Sequence, residues 1–135
     1  MCSSDLVAES NALEGSTLTS GETELAVLKG VTLTGHDPGY VRDAIDLDRA
    51  LQSLTELARK NQPVDIQQVK GIHELILGER PGAGLFRKER VRIKGSNHTP
   101  PKTWEEIMSG MEGWERWSLQ NNDLPAIIRA TVLHA

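Results

Sequence analysis

Cysteine and aromatic residues are scarce in this chain of 135 residues. The only cysteine is Cys2, so a disulfide framework and Cys-based zinc sites are excluded. Aromatic residues make up 4% of the chain, and three of these five are Trp. A core built mostly from Leu, Ile, Val and Ala suits helices better than an aromatic-rich sandwich. We therefore expect an all-α fold in a single domain.

Long apolar runs and an excess of positive charge are also missing. No run approaches the roughly 18 apolar residues of a membrane span, and the N-terminus lacks a signal-peptide pattern. The formal net charge is -4, which argues against nucleic acid as a partner. We expect a cytoplasmic protein that does not associate with membranes. Homodimerisation stays open.

Helical periodicity dominates the rest of the chain. Thr19, or alternatively Ser20, is a candidate cap of the next helix; Thr19 and Glu22 have capping-box spacing, and Gly30 is a good stop signal after that helix. Asp65 is a candidate N-cap, and Thr103 with Glu106 repeats the capping-box spacing. Between Thr34 and Tyr40 the glycines and proline predict a loop. The predicted helices are a short one at 10–13, then 22–28, about 41–60, 66–77, one after Thr103, and one from Leu124 or Pro125 to Ala135. The helix after Thr103 carries the three Trp on its apolar side, which predicts that they belong to the core.

One segment predicts β-structure. Residues 90–94 alternate polar and apolar side chains, with Val91 and Ile93 separating Arg90, Arg92 and Lys94. Gly95-Ser96-Asn97 supplies turn chemistry, so we expect a small hairpin. Seven basic residues and one acidic residue lie between Arg80 and Lys102. That excess could attract a nucleotide phosphate or an acidic target, or could only protect an exposed edge from aggregation.

Three stretches resemble the Fic (Fido) family. The first runs from Ser10 through Glu14-Gly15 to Glu22, and is similar to the inhibitory motif Ser/Thr-x-x-x-Glu-Gly/Asn. The second is Gly84-Leu85-Phe86-Arg87 with residues 90–95 and His98-Thr99-Pro100-Pro101, which resembles the flap. The third is the final helix with Ala130, His134 and Ala135, which resembles the helix before the family's signature loop. The resemblance spans residues 7–135.

The resemblance implies particular roles for particular residues. Glu14, with Ser10 and Gly15, would form an N-terminal inhibitory motif whose carboxylate competes with the ATP γ-phosphate for an arginine. Without the family, Glu14 reads as a solvated surface residue. The flap, about 84–101, would align a target segment by main-chain pairing through its central residues, Val91, Arg92, Ile93, Lys94 and Gly95.

The implied activity is AMP transfer from ATP, with Mg²⁺, to a Ser, Thr or Tyr hydroxyl of a target protein. Family members with other donors, or that remove AMP, stay open alternatives. The signature His-Pro-Phe-x-Asp/Glu-Gly-Asn-Gly-Arg does not occur in these 135 residues. We therefore expect a truncated fold and an inactive chain, with no catalytic residue, no metal ligand and no tight nucleotide binding. His134 is predicted to be packed or hydrogen-bonded rather than catalytic.

The implied organisation has three parts. Residues 1–6 are interpreted as derived from a sequencing-library adapter, with an ordinary frayed terminus as the alternative. Residues 7–30 are interpreted as the inhibitory segment with its following helix, and residues 31–135 as the N-terminal part of a Fic domain. His73 lies on an apolar helix face, which predicts a core histidine. Asp46 and Asp48 are predicted to lie on opposite helix faces rather than to form a carboxylate pair. A non-catalytic helical module that holds a peptide at its hairpin edge is the alternative function.

Overall fold

A computed structural model describes residues 3–31 and 33–134 of the protein. These residues form helices and connecting loops, in agreement with the all-α prediction. None of the helices in this part of the chain is both long and apolar enough to cross a membrane. The helices are α1 (Ser3–Leu13), α2 (Ser20–Lys29), α3 (Pro38–Arg59), α4 (Ile66–Leu77), α5 (Trp104–Gln120) and α6 (Ala126–His134).

The predicted helix caps are confirmed. Thr19 caps α2 and forms a full capping box with Glu22, while Gly30 ends the helix in the left-handed conformation. Thr103 and Glu106 form the capping box of α5. Asp65 caps α4, and its box is completed by Gln68, which sequence reasoning had not used. Short-range hydrogen-bonding patterns of this kind are local, which is why the sequence alone located them.

Helix α3 begins at Pro38, so the predicted loop from Thr34 to Tyr40 is too long by three residues. Proline fits the first turn of a helix because its missing N–H needs no partner there. Asp37 provides the cap by accepting a hydrogen bond of 2.7 Å from the Gly39 N–H. The proline therefore starts the helix instead of preventing it.

The core lies where α1, α2 and α3 pack together, and it is centred on Val7, Leu18, Ala26, Val41 and Ala44. Helix α4 packs along α3, whereas α5 contacts only α4 and α6 among the helices. Ser118 is the one fully buried residue of α5, and α6 has none among its described residues. The N-terminal half of the chain is thus the better-packed half.

The prediction that the three Trp belong to the core is wrong. Trp104 is 46% exposed, and Trp114 and Trp117 are half-buried. The indole N–H of Trp114 donates to the Leu133 carbonyl at 3.1 Å, which ties α5 to α6. The apolar side chains of α5 do follow a helical period, but only α4 and α6 among the helices contact α5, so this side of the helix stays partly open to solvent.

The predicted hairpin is also wrong, since no strand occurs among the described residues. Residues 85–102 form an irregular loop with one turn, in which the Ser96 N–H donates to the Ile93 carbonyl at 3.2 Å and Gly95 has a φ of 79°. Two short arms without a third strand or a packing surface are marginal as a hairpin. All nine residues from Val91 to Thr99 are exposed, so neither arm has such support.

The first residues of α1 belong to the segment interpreted as adapter-derived. Ser4 is buried, and the Ser3 hydroxyl donates to Asp48 Oδ1 at 3.0 Å. Met1 and Cys2 lie outside the described residues. The origin of residues 1–6 and the division at residues 30 and 31 stay predictions.

Candidate functional site

The turn that ends α1 has a defined geometry built around Glu14 and Gly15. The Ser16 N–H donates to the Asn11 carbonyl at 3.0 Å, and the Gly15 N–H donates to the Ala12 carbonyl at 3.1 Å. These two bonds are the pair of a Schellman motif, with Glu14 at the C-cap and Gly15 in the left-handed position. Gly15 has a φ of 95°, a value that L side chains rarely adopt.

This geometry gives a physical reason for the residue pair Glu-Gly at the end of α1. A residue that tolerates the left-handed region must follow the glutamate, because the chain reverses there. The Glu14 side chain is exposed, and Ser10, one turn earlier on α1, is half-buried. The carboxylate thus lies exposed at the hydrogen-bonded end of α1, where a cation can reach it.

A hydrogen-bonded network fixes the chain that follows this turn. His36 Nε2 lies 3.0 Å from Glu22 Oε1, and His36 Nδ1 lies 3.0 Å from the Thr17 hydroxyl. The other carboxylate oxygen of Glu22 accepts from the Thr19 N–H at 2.9 Å and from its hydroxyl at 2.8 Å. These donors, the Thr19 N–H first, lower the pKa of Glu22 to about 2. Three separate segments are therefore held together around one ionised carboxylate.

The loop at residues 85–102 is the second candidate region, and Arg87 anchors its base. The Arg87 guanidinium donates to the Glu89 carbonyl at 2.8 Å and to the Pro101 carbonyl at 2.7 Å, which joins the two arms. Between the arms lies an open cleft of about 420 Å³. The predicted docking residues Val91, Arg92, Ile93, Lys94 and Gly95 all lie in this loop and are all exposed.

Two buried aspartates of α3, Asp46 and Asp48, lie where α3 meets neighbouring helices. Asp48 accepts hydrogen bonds from the Ser3 hydroxyl and, at 2.6 Å, from the Gln52 amide, so it fastens α1 to α3. Asp46 lies against Gly78, the residue that ends α4. Both aspartates are buried, at 7% and 6% exposure. They lie on opposite sides of α3, because Asp48 contacts α1 and Asp46 contacts the end of α4.

Arg80 belongs to this anchoring region rather than to the free basic residues. Its guanidinium donates to the carbonyls of Leu77 and Ile76 at 2.7 and 2.8 Å, and it lies 3.0 Å from Asp43 Oδ1. The sequence placed Arg80 at the start of a basic cluster. In the structure the Arg80 guanidinium joins the C-terminal end of α4 to α3, and its N–H donors are engaged in these contacts.

The predictions for two histidines are wrong. His73 is exposed instead of buried, and its Nδ1 accepts a hydrogen bond of 3.1 Å from the Gly84 N–H. It lines an open, mainly apolar cavity of about 960 Å³ between α4, residues 81–88 and the start of α5. His134 is exposed at the end of α6. Both helices have an open side, which the apolar pattern could not reveal.

A magnesium ion would need several oxygen ligands close together. Within residues 3–31 and 33–134, no group of three or more His, Cys, Asp or Glu side chains is placed to hold a metal. The expectation of ATP with Mg²⁺ for the full-length protein stays a prediction.

The predicted inhibitory motif at residues 10–15 and the loop at residues 85–102 lie in different parts of the fold. Among the helices, α1 contacts only α2 and α3, whereas the loop connects α4 to α5. No hydrogen bond or ion pair in the described chain joins residues 10–15 to residues 85–102. The roles assigned to Ser10, Glu14 and Gly15, and to residues 91–95, stay predictions.

Comparison with known proteins supports a Fic-like relation. No family model matches the chain. The chain is similar to a protein adenylyltransferase Fic from Nematostella vectensis, with 28% identity over 119 residues. The similarity covers 86% of the chain and 27% of the length of that relative.

Proposed function

We propose that this chain is the regulatory and target-docking portion of a Fic-type protein adenylyltransferase. The observation that carries the proposal is the similarity to an adenylyltransferase over 86% of the chain. The end of α1 supports it, because the Glu-Gly pair of the inhibitory pattern coincides with a Schellman turn that presents Glu14 to solvent. The activity itself is proposed for a protein that carries this chain together with the family's signature loop.

The proposed reaction is transfer of AMP from ATP to a Ser, Thr or Tyr hydroxyl of a target protein. The hydroxyl oxygen bonds to the α-phosphorus, the bond to the β-phosphate side breaks, and pyrophosphate leaves. A general base must take the hydroxyl proton. These 135 residues lack the signature histidine that would do so, so the base lies elsewhere in the protein.

Glu14 is the proposed brake on this reaction. A carboxylate at the rigid end of α1 can occupy the guanidinium fork that would otherwise bind the γ-phosphate. Packing of α1 against α2 and α3 fixes the position of the helix that carries Glu14. Competition of this kind lowers productive ATP binding without any change in the reacting groups.

The test uses protein expressed from the complete gene. Wild type, Glu14→Gly and Glu14→Gln are incubated with ATP labelled in the α-phosphate, and label in protein is measured. We expect both variants to incorporate more label than wild type, while Glu9→Gln, an exposed glutamate of the same helix, serves as the matched control and stays unchanged. ATP labelled in the γ-phosphate distinguishes AMP transfer from phosphorylation.

Each result has a definite meaning. Label from the α-phosphate but not from the γ-phosphate supports the adenylyltransferase. Label from the γ-phosphate alone, or none from either, contradicts it. Equal labelling by wild type and both Glu14 variants would be compatible with the adenylyltransferase activity but would contradict the inhibitory role of Glu14. Robust labelling by the 135-residue chain alone would contradict the placement of the catalytic base outside it.

A second candidate is a non-catalytic module that holds a peptide. The favouring observation is the loop at 85–102, where Val91 and Arg92 have neither a main-chain donor nor an acceptor engaged within the described residues. Such free main chain can pair with an extended segment. A complete gene product that binds peptide but transfers no label from ATP would favour this candidate.

A further inference from the structure

The loop at residues 85–102 carries a charge opposite to that of the rest of the chain. It contains six of the 15 Lys and Arg residues but only one of the 19 Asp and Glu residues. Its formal charge is therefore +5, while the remainder of the chain has a formal charge of -9. Separation of charge on this scale favours an acidic partner at the loop and repels it elsewhere.

The side chains of residues 90–94 divide into two sets along the sequence. Val91 and Ile93 are 45% and 53% exposed and alternate with Arg92 and Lys94, which are exposed as well. When such a segment is extended, alternate residues point to opposite sides. One side would then be apolar and the other cationic. A partner strand that matches both sides carries apolar and acidic residues in alternation.

The described cations of this segment differ in how much they are already engaged. Arg90 lies close enough to Glu106 to contribute to the lowered pKa of that carboxyl, after the larger effect of the Lys102 N–H. Arg92 and Lys94 have no hydrogen bond or ion pair to any described residue. These two cations are therefore available to a partner.

The cleft between the two arms adds a further positive group. Lys102 lines it together with Arg90 and Arg92, and Arg87 holds the arms together at its base. Carboxylates of a segment lying along residues 90–94 would meet several cations at once. Charge-assisted bonds of this kind are stronger than neutral ones.

We propose that residues 90–94 select an acidic segment of the target protein, with Asp or Glu alternating with apolar residues. The inference rests on the proposed function, since it names the class of target that the docking loop accepts. Main-chain pairing alone would accept almost any sequence. Arg92 and Lys94 supply the discrimination, because they attract carboxylates and repel a basic segment.

An acidic protein segment fits this surface better than a nucleic acid does. Phe86 is the only aromatic residue of the loop, so no platform exists on which successive bases could stack. The charge of -9 on the rest of the chain would repel a long polyanion that extends beyond the loop. A short acidic segment can instead be confined to the basic region.

The test measures peptide binding to the 135-residue chain without nucleotide. Three fluorescein-labelled peptides are compared by fluorescence anisotropy: one alternates Glu with Val over six positions, one has Gln in place of Glu, and one has Lys in place of Glu. We expect the Glu peptide to bind most tightly and the Lys peptide least. The affinity for the Glu peptide should fall as salt rises, because exposed ion pairs are screened.

Charge-removal variants locate the site. The double variant Arg92→Gln with Lys94→Gln should weaken binding of the Glu peptide by roughly 2- to 30-fold, the range for two exposed ion pairs. Lys29→Gln with Arg59→Gln removes the same charge from exposed positions elsewhere and should change binding little. The two double variants have the same net charge, so long-range attraction cannot account for a difference between them.

Several results would overturn the inference. Equal binding of the Glu and Gln peptides would show that the loop does not select acidic residues, and equal losses in the two double variants would place the site elsewhere. Tighter binding of a twelve-nucleotide single-stranded RNA than of the Glu peptide would indicate a phosphate-binding surface instead. The binding test contains no ATP, so its result does not depend on AMP transfer. A failure of acidic selectivity is therefore distinguishable from a failure of the proposed adenylyltransferase activity.

Discussion

His36 Nε2 lies 3.0 Å from Glu22 Oε1, and this contact joins the loop before α3 to the first turn of α2. The opposite ring nitrogen of His36 is paired with the Thr17 hydroxyl in the turn after Glu14. A hydroxyl can donate or accept, so Thr17 satisfies His36 in either protonation state of the ring. The network therefore constrains the segment that carries the proposed brake.

Glu22→Gln is expected to change how stability depends on pH. The pKa of Glu22 is lowered from 4.5 to about 2 in the folded protein, so the ionised form is the one that folding favours. Its stabilising contribution is complete above about pH 4.5 and is lost as the pH falls toward 2. Urea unfolding should show a less stable variant at pH 7, with a difference from wild type that shrinks across this window.

Glu24→Gln is the matched control for that experiment. Glu24 is exposed on the same helix and has no hydrogen bond to a described residue. Glu24→Gln should leave the pH dependence of the free energy of unfolding almost unchanged. Parallel profiles for wild type and Glu22→Gln would contradict the prediction.

His36→Gln should raise the pKa of Glu22 without restoring its ordinary value. The Thr19 N–H and hydroxyl are the two largest causes of the lowered pKa, and both remain in the variant. The loss of the His36 hydrogen bond removes a smaller cause. We expect an NMR titration of the Glu22 carboxyl carbon to give a pKa between about 2 and 4.5. An unchanged pKa would show that His36 does not contact Glu22 in solution.

Gly15→Ala should destabilise the protein by about 1 kcal/mol, because the residue must keep a φ of 95°. Nothing lies within 4 Å of the position that the new methyl group would take, so the cost is one of backbone conformation. Gly15→Asn should cost less than half as much, since Asn tolerates the left-handed region better. Urea unfolding of the three proteins measures both effects. Equal losses for Ala and Asn would contradict the conformational explanation.

The features that sequence predicted well are those decided by neighbouring residues. The capping boxes at Thr19 and Thr103 and the stop at Gly30 depend on hydrogen bonds within a few positions, so residue types at fixed spacing suffice to find them. Pro38 shows the limit of such rules. Proline both breaks helices and begins them, and only the cap at Asp37 decides which applies.

The features that the sequence predicted badly depend on tertiary contacts with residues distant in the chain. Alternation at residues 90–94 is compatible with a strand, but a strand needs a partner, and the described fold offers none. His73 and Trp104 lie on apolar faces, yet both are exposed, because too few elements cover those faces. Asp46 and Asp48 show the opposite case, because they are polar residues that are buried. The neighbours that bury them are distant in the chain, so the sequence does not reveal them.

The same reasoning applies to the candidate sites. The sequence located the segments at Glu14 and at residues 91–95, and the structure adds the local geometry of each. It could not reveal that Arg80 is engaged with Asp43 and the end of α4, whereas Arg92 and Lys94 are among the cations that stay accessible. Partner assignments of this type depend on tertiary contacts between residues far apart in the chain.

Two glycine-to-alanine substitutions should have opposite effects on stability. Gly78 has a φ of 58°, and a methyl group there would approach Asp46 Oδ2 to 2.5 Å. Asp46 is buried and has little room to move. Gly78→Ala should therefore lower the free energy of unfolding by about 1–3 kcal/mol, the usual cost of a strained backbone position.

Gly113 lies in the interior of α5, is exposed, and has nothing within 4 Å of the new methyl position. Gly113→Ala should raise the free energy of unfolding by about 0.5–1 kcal/mol, because alanine loses less conformational freedom in a helix. Chemical unfolding of both variants beside wild type checks the two signs in one experiment. A stabilising Gly78→Ala would show that α4 does not end against Asp46, and the position of the loop at 85–102, which follows that end, would then have to be revised.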